Sequence, residues 1–514
     1  MKRALISVFD KTGIEEFARI LNKELGWEIV STGGTAVKLR TAGINVKDIA
    51  EVTGFPECLD GRVKTLHPKI EGGILGRRNI PLHLEQMEEL GMQPIDMVVC
   101  NLYPFKETLQ SDKISHEVII ENIDIGGPTM IRAAAKNYES VIVITDIKDY
   151  DIVIEELKKN NDCSLETKTR LAAKVFAHTA HYDALIAAYF RSITDIETST
   201  LTLTYEKIRK LRYGENPHQA ATVYKDVGRN KSGILTEARQ IHGKELSFNN
   251  ISDADGALEL LKEFDATPTI VAVKHANPCG VACATMISEA FEKAYTADPV
   301  SIFGGIIASN TEIDEKTAEH MSKIFLEIII APSYSFEALR ILEKKKNIRL
   351  LELEHIMKRD EKRQKIKTIS GGLLLQSRDD ILLNTENALN AVTHKKPTEE
   401  ELRDLLFAWK VAKHTKSNAI VIAQNLITTG IGPGQVSRIW ALENAIRQGG
   451  EKIKGSVLAS DAFFPFPDCV EVAHKAGITA IIQPGGSIRD AESIDAANKY
   501  GIAMIFTGIR HFKH

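Results

Sequence analysis

One pattern constrains this chain more than any other. From Arg3 to about Tyr189, short β-branched runs alternate with stretches of helical period: Leu5-Ile6-Ser7-Val8, a helix from Gly13, Glu28-Ile29-Val30-Ser31, a helix from Thr35, then Met97-Val98-Val99-Cys100 and Val141-Ile142-Val143-Ile144. A βαβ series of this kind builds a parallel sheet. A Ser/Thr-rich passage from Arg191 to Thr204 has no helical period and marks a boundary. The expected division is residues 1–195 and residues 196–514, and a chain of 514 residues with 43% hydrophobic content is long enough for more than one core. Beyond the boundary, certain stretches echo each other: Val273-Lys274-His275-Ala276-Asn277 with Ala412-Lys413-His414-Thr415-Lys416-Ser417-Asn418, and Gly304-Gly305-Ile306-Ile307 with Gly371-Gly372-Leu373-Leu374. They hint at an internal duplication.

Composition removes several classes of function. Lys and Arg number 65 against 69 Asp and Glu, a net charge of -4, with no basic tail; Lys344-Lys345-Lys346 reads as a solvated helix end, so no nucleic-acid partner is expected. The apolar stretch after Met1 is too short and too soon charged for a signal peptide and reads as a first strand. The oiliest candidate for a membrane segment, Ile324 to Ala331, carries Glu327, so no membrane partner is expected either. Six scattered cysteines suit reduced thiols, and a cytoplasmic setting is the expectation.

Chemistry is suggested first by Lys274-His275-Ala276-Asn277-Pro278-Cys279-Gly280, where the apolar run Ile270-Val271-Ala272-Val273 meets a cation and an imidazole. Proline is read as closing the run, so that Lys274 and His275 fall at a strand end, where α/β proteins place ligands; a solvated strand terminus is the plainer alternative. In the first domain, Ser31-Thr32-Gly33-Gly34-Thr35 between strand and helix fits a phosphate cradle, without the spacing of the dinucleotide fingerprint. Gly61-Arg62-Val63-Lys64-Thr65-Leu66-His67-Pro68-Lys69 groups cations suited to an oxygen-rich substrate. Asn101-Leu102-Tyr103-Pro104-Phe105 places Tyr103 at the sheet's carboxyl edge. Asp124-Ile125-Gly126-Gly127-Pro128 opens a helix ending at Lys136-Asn137, in which Asp124 could be a cap and Lys136 a dipole partner.

In the second domain, Arg212-Tyr213-Gly214-Glu215-Asn216-Pro217-His218-Gln219 is a compact polar loop of the kind that binds ligands. Ser460 to Asp468 pairs aromatic with acidic residues, and the turns Gly432-Pro433-Gly434 and Gln483 to Ser487 add glycine-rich loops. A zinc-deaminase pattern is suggested by His275, Pro278 and Cys279. Its spacing fails, because Asn277 holds the place of the required Glu and Cys283 follows Cys279 by four residues instead of three.

Taken in order, these segments, with Ser7-Val8-Phe9-Asp10-Lys11-Thr12-Gly13 and Ser417-Asn418-Ala419, resemble over nearly the whole chain the bifunctional purine-biosynthesis family that joins a phosphoribosylaminoimidazolecarboxamide formyltransferase to an inosine monophosphate cyclohydrolase. The resemblance implies an α/β chain: a methylglyoxal-synthase-like Rossmann-variant domain, then a duplicated cytidine-deaminase-like α/β domain without zinc. It implies nucleotide and folate substrates, 10-formyltetrahydrofolate as co-substrate, no required metal, and a homodimer whose formyltransferase sites draw on both subunits. For formyl transfer it implies His275 as base, Lys274 as oxyanion partner or acid, and Asn418 as aligning group. Arg212, Tyr213, Phe303, Gly304, Glu327, Arg438, Phe463 and Arg510 would surround the nucleotide, with Asp468 and Ser487 nearer the folate. Glu327-Ile328 stands where some relatives have Asp-Gly, which changes the reach of that carboxylate. For cyclisation it implies Asp124 and Lys136 in proton transfer and Lys64 and Tyr103 at the carbonyl oxygen. Ser7, Lys11, Thr12, Ser31, Gly33, Gly34, Thr35, Arg62, Thr65, Asn101 and Gly126 would hold the nucleotide. The rival readings are a zinc-dependent deaminase and a nucleotide-sensing regulatory module.

Overall fold

The computed structural model describes residues 1–514 apart from 112–113, 195, 197, 228–231, 360–363, 384–388 and 390. The chain forms two compact units, Met1–Glu206 with Tyr224–Asn230, and Lys207–Val223 with Lys231–His514.

The first unit is built on five parallel strands, β1 (Arg3–Ile6), β2 (Glu28–Ser31), β3 (Val46–Asp48), β4 (Met97–Val99) and β5 (Ile142–Ile144), in the order β3-β2-β1-β4-β5. Every residue of β1, β4 and β5 is buried, as expected where helices cover both faces of a parallel sheet. The chain winds from β1 towards β3, then returns to the other side of β1 as β4. Loops leaving the carboxyl ends of β1 and β4 therefore part in opposite directions and leave a crevice between them. The long helix Leu165–Ile193 braces that crevice: the Tyr182 hydroxyl donates to Asn122 O at 3.1 Å and accepts from Asp124 N at 2.8 Å.

The second unit contains an eleven-stranded sheet that is a duplication. From the centre outwards one half runs Asn277–Cys283, Thr269–Lys274, Ile306–Ser309, Ile328–Ala331 and Arg349–Glu352, with Arg239–His242 at the edge. The other half runs Ile427–Gly432, Ile420–Gln424, Val457–Ser460, Ala480–Gln483 and Ala503–Phe506, and the halves join through the antiparallel pair Ala282 and Ile427. Each half opens with a hairpin carrying one bulge: Val273 pairs with Pro278 and Ala272 with Gly280, while Ala423 pairs with Thr428 and Ile422 with Gly430. The glycine after each bulge lets a helix pack on the backbone, since a Cβ at Gly280 would lie 2.3 Å from Ala294 O and one at Gly430 2.3 Å from Ala445 O.

Register corrects two expectations. Pro278 does not close the apolar run; it belongs to the second hairpin strand, next to the bulge, where a missing N–H costs no ladder bond. The counterpart of Lys274-His275-Ala276 is Gln424-Asn425-Leu426, and that of Gly304-Gly305-Ile306 is Gly455-Ser456-Val457. The duplication is real, but neither pair of echoing stretches is its alignment. Lys413 ends the helix Glu399–Lys413, and His414 caps it. Lys413 Nζ lies 3.0 Å, and His414 Nε2 2.9 Å, from Glu263 Oε1. Gly371-Gly372-Leu373-Leu374 lies in a separate two-stranded hairpin, Lys365–Ile369 and Gly372–Gln376.

Burial pushes His414 down from 6.5 to about 4, against the attraction of Glu263. Between those values the unfolded chain binds a proton that the folded chain refuses. This contribution to stability is complete above pH 6.5 and is lost as pH falls towards 4. Thermal unfolding followed from pH 7 to 4 will show the second unit's midpoint falling across that window, and His414→Gln will flatten the dependence.

Candidate functional site

A cavity of about 610 Å³ opens at the crevice between β1 and β4. Its walls bring together Ser7, Lys11, Gly33, Gly34, Thr35, Arg62, Lys64, Thr65, Asn101, Tyr103, Asp124 and Gly126. The helix Gly33–Thr41 points its N-terminus at this space, and Gly33 takes φ 51°, open to glycine at little cost. Two cations flank the turn: a Cβ at Gly33 would lie 3.9 Å from Lys64 Nζ, and one at Gly34 3.9 Å from Lys11 Nζ. Thr32, the N-cap, is 4% exposed and lines the cavity, yet its hydroxyl makes no cap bond and has no partner. Helix N–H groups, an unpaired buried hydroxyl and two ammonium groups are the donors that suit an anion. The sequence places Thr32 inside the cradle segment without singling it out; a Thr before a helix normally caps it, and only the structure shows this hydroxyl left over.

Several expected residues serve the walls instead of the space. Asn101 Oδ1 accepts from Phe9 N at 2.6 Å and Asp10 N at 3.0 Å, fixing the loop after β1. Thr35 Oγ1 accepts from Val8 N at 3.1 Å and donates to Val8 O at 2.9 Å. Ser31 is corrected: it is fully buried, donates to Ile6 O at 2.6 Å and does not reach the cavity, because it still lies within β2. Thr12 lies outside as well, its N–H and hydroxyl both given to Asp10 Oδ1 at 2.9 and 2.6 Å. Lys136 is likewise placed away from the cavity. It is the exposed last residue of the helix Gly126–Lys136. At 1.5 Å per residue it stands about 15 Å along the axis from Gly126. Its position fits a helix-dipole partner.

Asp124 stands at the other end of that helix and accepts from Gly127 N at 2.9 Å. Burial raises its carboxyl above the ordinary 3.8, while bonds from the backbone of Gly127 and Tyr103 and the charge of Lys64 pull the other way. Tyr103 is 40% exposed, with the Phe9 ring packed edge-on at 5.7 Å. Arg62 is exposed and paired with Glu121. A half-buried carboxyl, a phenol and an ammonium thus share one cavity whose far side suits a phosphate.

In the second unit, Lys274 ends a strand and gives its ammonium to Phe303 O at 2.8 Å. His275 and Ala276 form the hairpin turn with φ 54° and 57°. Asn277 joins this turn to a segment remote in sequence: its Nδ2 donates to His275 O at 3.2 Å, and its Oδ1 accepts from Lys416 N at 3.1 Å. Two residues on, Asn418 is held by a buried network. Arg438 Nη2 donates to Asn418 Oδ1 at 2.7 Å, Asn418 Nδ2 donates to Gln435 O at 2.7 Å, and Asp461, fully buried, binds Arg438, Ser417 and Ala419 N.

Of the remaining residues, Phe303 and Gly304 lie beside Phe325, and Glu327 is committed to Arg349. Phe463 is exposed beside the network, and Arg510 stacks on Phe512 at 4.3 Å. Arg212 lies 4.8 Å over Tyr213, in a loop tied through Glu215 O to Asn249. Asp468 opens the helix Asp468–Lys475 and Ser487 opens the turn before Asp490–Tyr500. His275 sits in the hairpin turn, while Cys279 and Cys283 lie on the strand after it, four residues or on the order of 13 Å of extended backbone apart. Burial pushes Cys279 up to about 12. Those three side chains do not converge as zinc ligands would.

Fold and sites define a two-unit α/β enzyme, a parallel-sheet unit with a cation-flanked cavity followed by a duplicated unit with its own buried polar network. An MGS-like domain model matches residues 13–129, and an AICARFT/IMPCHase bienzyme model matches residues 134–448. The chain is 62% identical to the bifunctional purine biosynthesis protein PurH of Acetivibrio thermocellus, covering 100% of both chains. It is 59% identical to that of Ruminiclostridium cellulolyticum and 58% to that of Bacillus cereus, again over 100% of each. The chain belongs to the AICARFT/IMPCHase bienzyme family.

Thr32→Val will leave the unfolding midpoint unchanged or higher, because it removes a buried hydroxyl without a partner. It will weaken a nucleoside monophosphate about ten-fold by calorimetry, the loss of one hydrogen bond to a charged group, roughly 1.5 kcal/mol. Unchanged affinity would place the phosphate elsewhere.

Proposed function

We infer that this chain carries out the last two steps of inosine monophosphate synthesis. Formyl is transferred from 10-formyltetrahydrofolate to the 5-amino group of aminoimidazole carboxamide ribonucleotide, and the product then closes with loss of water. The observation that carries the reading is the meeting of the Lys274–His275 turn with the Asn418 segment through Asn277 and Lys416. An imidazole, an ammonium and an aligned carboxamide are the groups formyl transfer needs.

In formyl transfer the acceptor amine is a poor nucleophile, its lone pair delocalised through the ring into the carboxamide. His275 takes the amine proton as the carbon–nitrogen bond forms. Lys274 stabilises the oxyanion on the former formyl carbonyl or protonates the departing folate nitrogen, and Asn418 holds the reactants in line. Arg212, Tyr213, Phe303, Gly304, Glu327, Arg438, Phe463 and Arg510 belong to the nucleotide side of this reading, and Asp468 and Ser487 to the folate side.

In cyclisation the carboxamide nitrogen attacks the formyl carbon. Asp124 accepts the carboxamide N–H proton, and Lys64 and Tyr103 stabilise the developing oxyanion; that proton and the one lost from the former formamide N–H as the ring C=N bond forms leave with the oxygen as water. Lys11, Thr32 and the amides of Gly33 to Thr35 hold the phosphate. The raised carboxyl of Asp124 must be ionised to act, so the cyclisation rate will fall as pH drops through a value displaced upward from 3.8. Cyclisation thus belongs to residues 1–195 and formyl transfer to residues 196–514, in a cytoplasmic homodimer that needs no metal.

Product analysis with purified protein, 10-formyltetrahydrofolate and the ribonucleotide tests this. Wild type will give inosine monophosphate, with or without a chelator. Lys274→Ala or His275→Ala will lose formyl transfer and keep cyclisation of the formylated intermediate; Asp124→Asn will do the reverse. Loss of both activities in one folded variant would overturn the assignment, and binding without turnover would favour a sensing module.

A further inference from the structure

The hairpin turn that presents Lys274 and His275 is built from two non-glycine residues with left-handed backbone, His275 at φ 54° and Ala276 at φ 57°. L-residues occupy that region at a cost, and here neither residue is of the Asn or Gly type that hairpin turns prefer. The turn also exposes two adjacent N–H groups. Both are taken by one carboxylate: Asp253 Oδ2 accepts from His275 N at 3.2 Å and Oδ1 from Ala276 N at 2.8 Å. Asp253 lies on the helix Phe248–Leu261, so a rigid element of the core holds the turn from behind.

The duplication supplies the same device where there is no such chemistry. Asn425 and Leu426 have φ 53° and 58°, and Asp404 accepts from both their N–H groups at 2.7 Å. Asp404 occupies the same place on the helix Glu399–Lys413, each helix beginning with a capping box, at Ser247 in one half and Thr398 in the other. At the second turn Gln424 and Asn425 replace Lys274 and His275, and Ile427 replaces Asn277, so the link to the Asn418 segment has no counterpart. The two clamps are alike in geometry and differ in what they present.

We propose that Asp253 is a positioning residue for formyl transfer, which sets the His275 imidazole and the Lys274 ammonium by fixing the backbone of the left-handed turn. The proposal rests on the assignment of Lys274 and His275 to that reaction. Asp253 itself touches neither reactant. Replacing its carboxylate with a carboxamide leaves one acceptor for two N–H groups and frees the turn to shift. A displacement near 1 Å at a reacting group costs on the order of 100-fold in rate.

The test uses the full-length enzyme and three single variants, Asp253→Asn, Asp404→Asn and His275→Ala, with cyclisation by the first unit as an internal standard. Expected for Asp253→Asn is a fall in formyl-transfer kcat of roughly 100-fold with KM for the ribonucleotide within about two-fold. Asp404→Asn, which breaks an equivalent pair of bonds, will keep kcat within about two-fold of wild type. Equal losses in the two variants would make the clamp structural only, and an unchanged kcat in Asp253→Asn would overturn the proposal directly. If His275→Ala retained formyl transfer, the site assignment would fail instead, which separates the two failures. Should Asp253→Asn fold poorly, the double variant Asp253→Asn/Ala276→Gly restores a left-handed turn without strain. A folded double variant whose kcat stays low supports positioning, whereas full recovery of kcat with the fold would reduce Asp253 to a stabilising group.

Discussion

Backbone N–H groups that neither helix nor sheet can satisfy organise both units of this protein. In the second unit they arise at two left-handed hairpin turns, and in each a carboxylate from a core helix takes both. At the start of the helix Gly126–Lys136 another carboxylate, Asp124, does the same for Gly127. At the start of the helix Gly33–Thr41 no side chain does, and the neighbouring Thr32 hydroxyl is also unpaired. Where an acidic residue answers the demand, the backbone is fixed; where none does, the demand is left for an anion, with Lys11 and Lys64 alongside.

The two units gather their polar groups by different routes. The first uses the reversal of strand order beside β1, which opens a crevice into which separate loops can send a cation, a phenol and a carboxyl. The second uses duplication followed by complementary loss. One half keeps Lys274 and His275 where the other has Gln424 and Asn425; the other keeps Asp461 where the first has Asn310, and Thr269 N and Ala419 N are bound by those two side chains in the same way. Arg438 likewise corresponds to Ile287 across the pseudo-symmetry, each the first residue of its helix. Charge is retained once per pair, so one composite polar site results where symmetry would have given two.

Much of this was legible in the chain itself. The alternation of apolar runs and helical periods determined a parallel sheet, because buried parallel strands need continuous apolar runs and helical crossovers. Segments such as Ser31–Thr35, Gly61–Lys69 and Lys274–Gly280 stood out as candidates, since glycine, cations and imidazole have few structural reasons to cluster. Tertiary structure alone decided which members of those segments line the cavity. Ser31 and Thr32 are neighbours, yet one is spent on Ile6 and the other is free, a difference set by a strand lying elsewhere in the sequence. Lys136 stays outside the cavity because its helix carries it a fixed rise per residue away from Asp124. The duplication was visible as repetition but misaligned, because strand register depends on bulges and hydrogen-bond partners that short identical words do not record. Asp253 is silent in the sequence for the same reason: an acid on an amphipathic helix looks solvated until the fold brings two unpaired N–H groups to it.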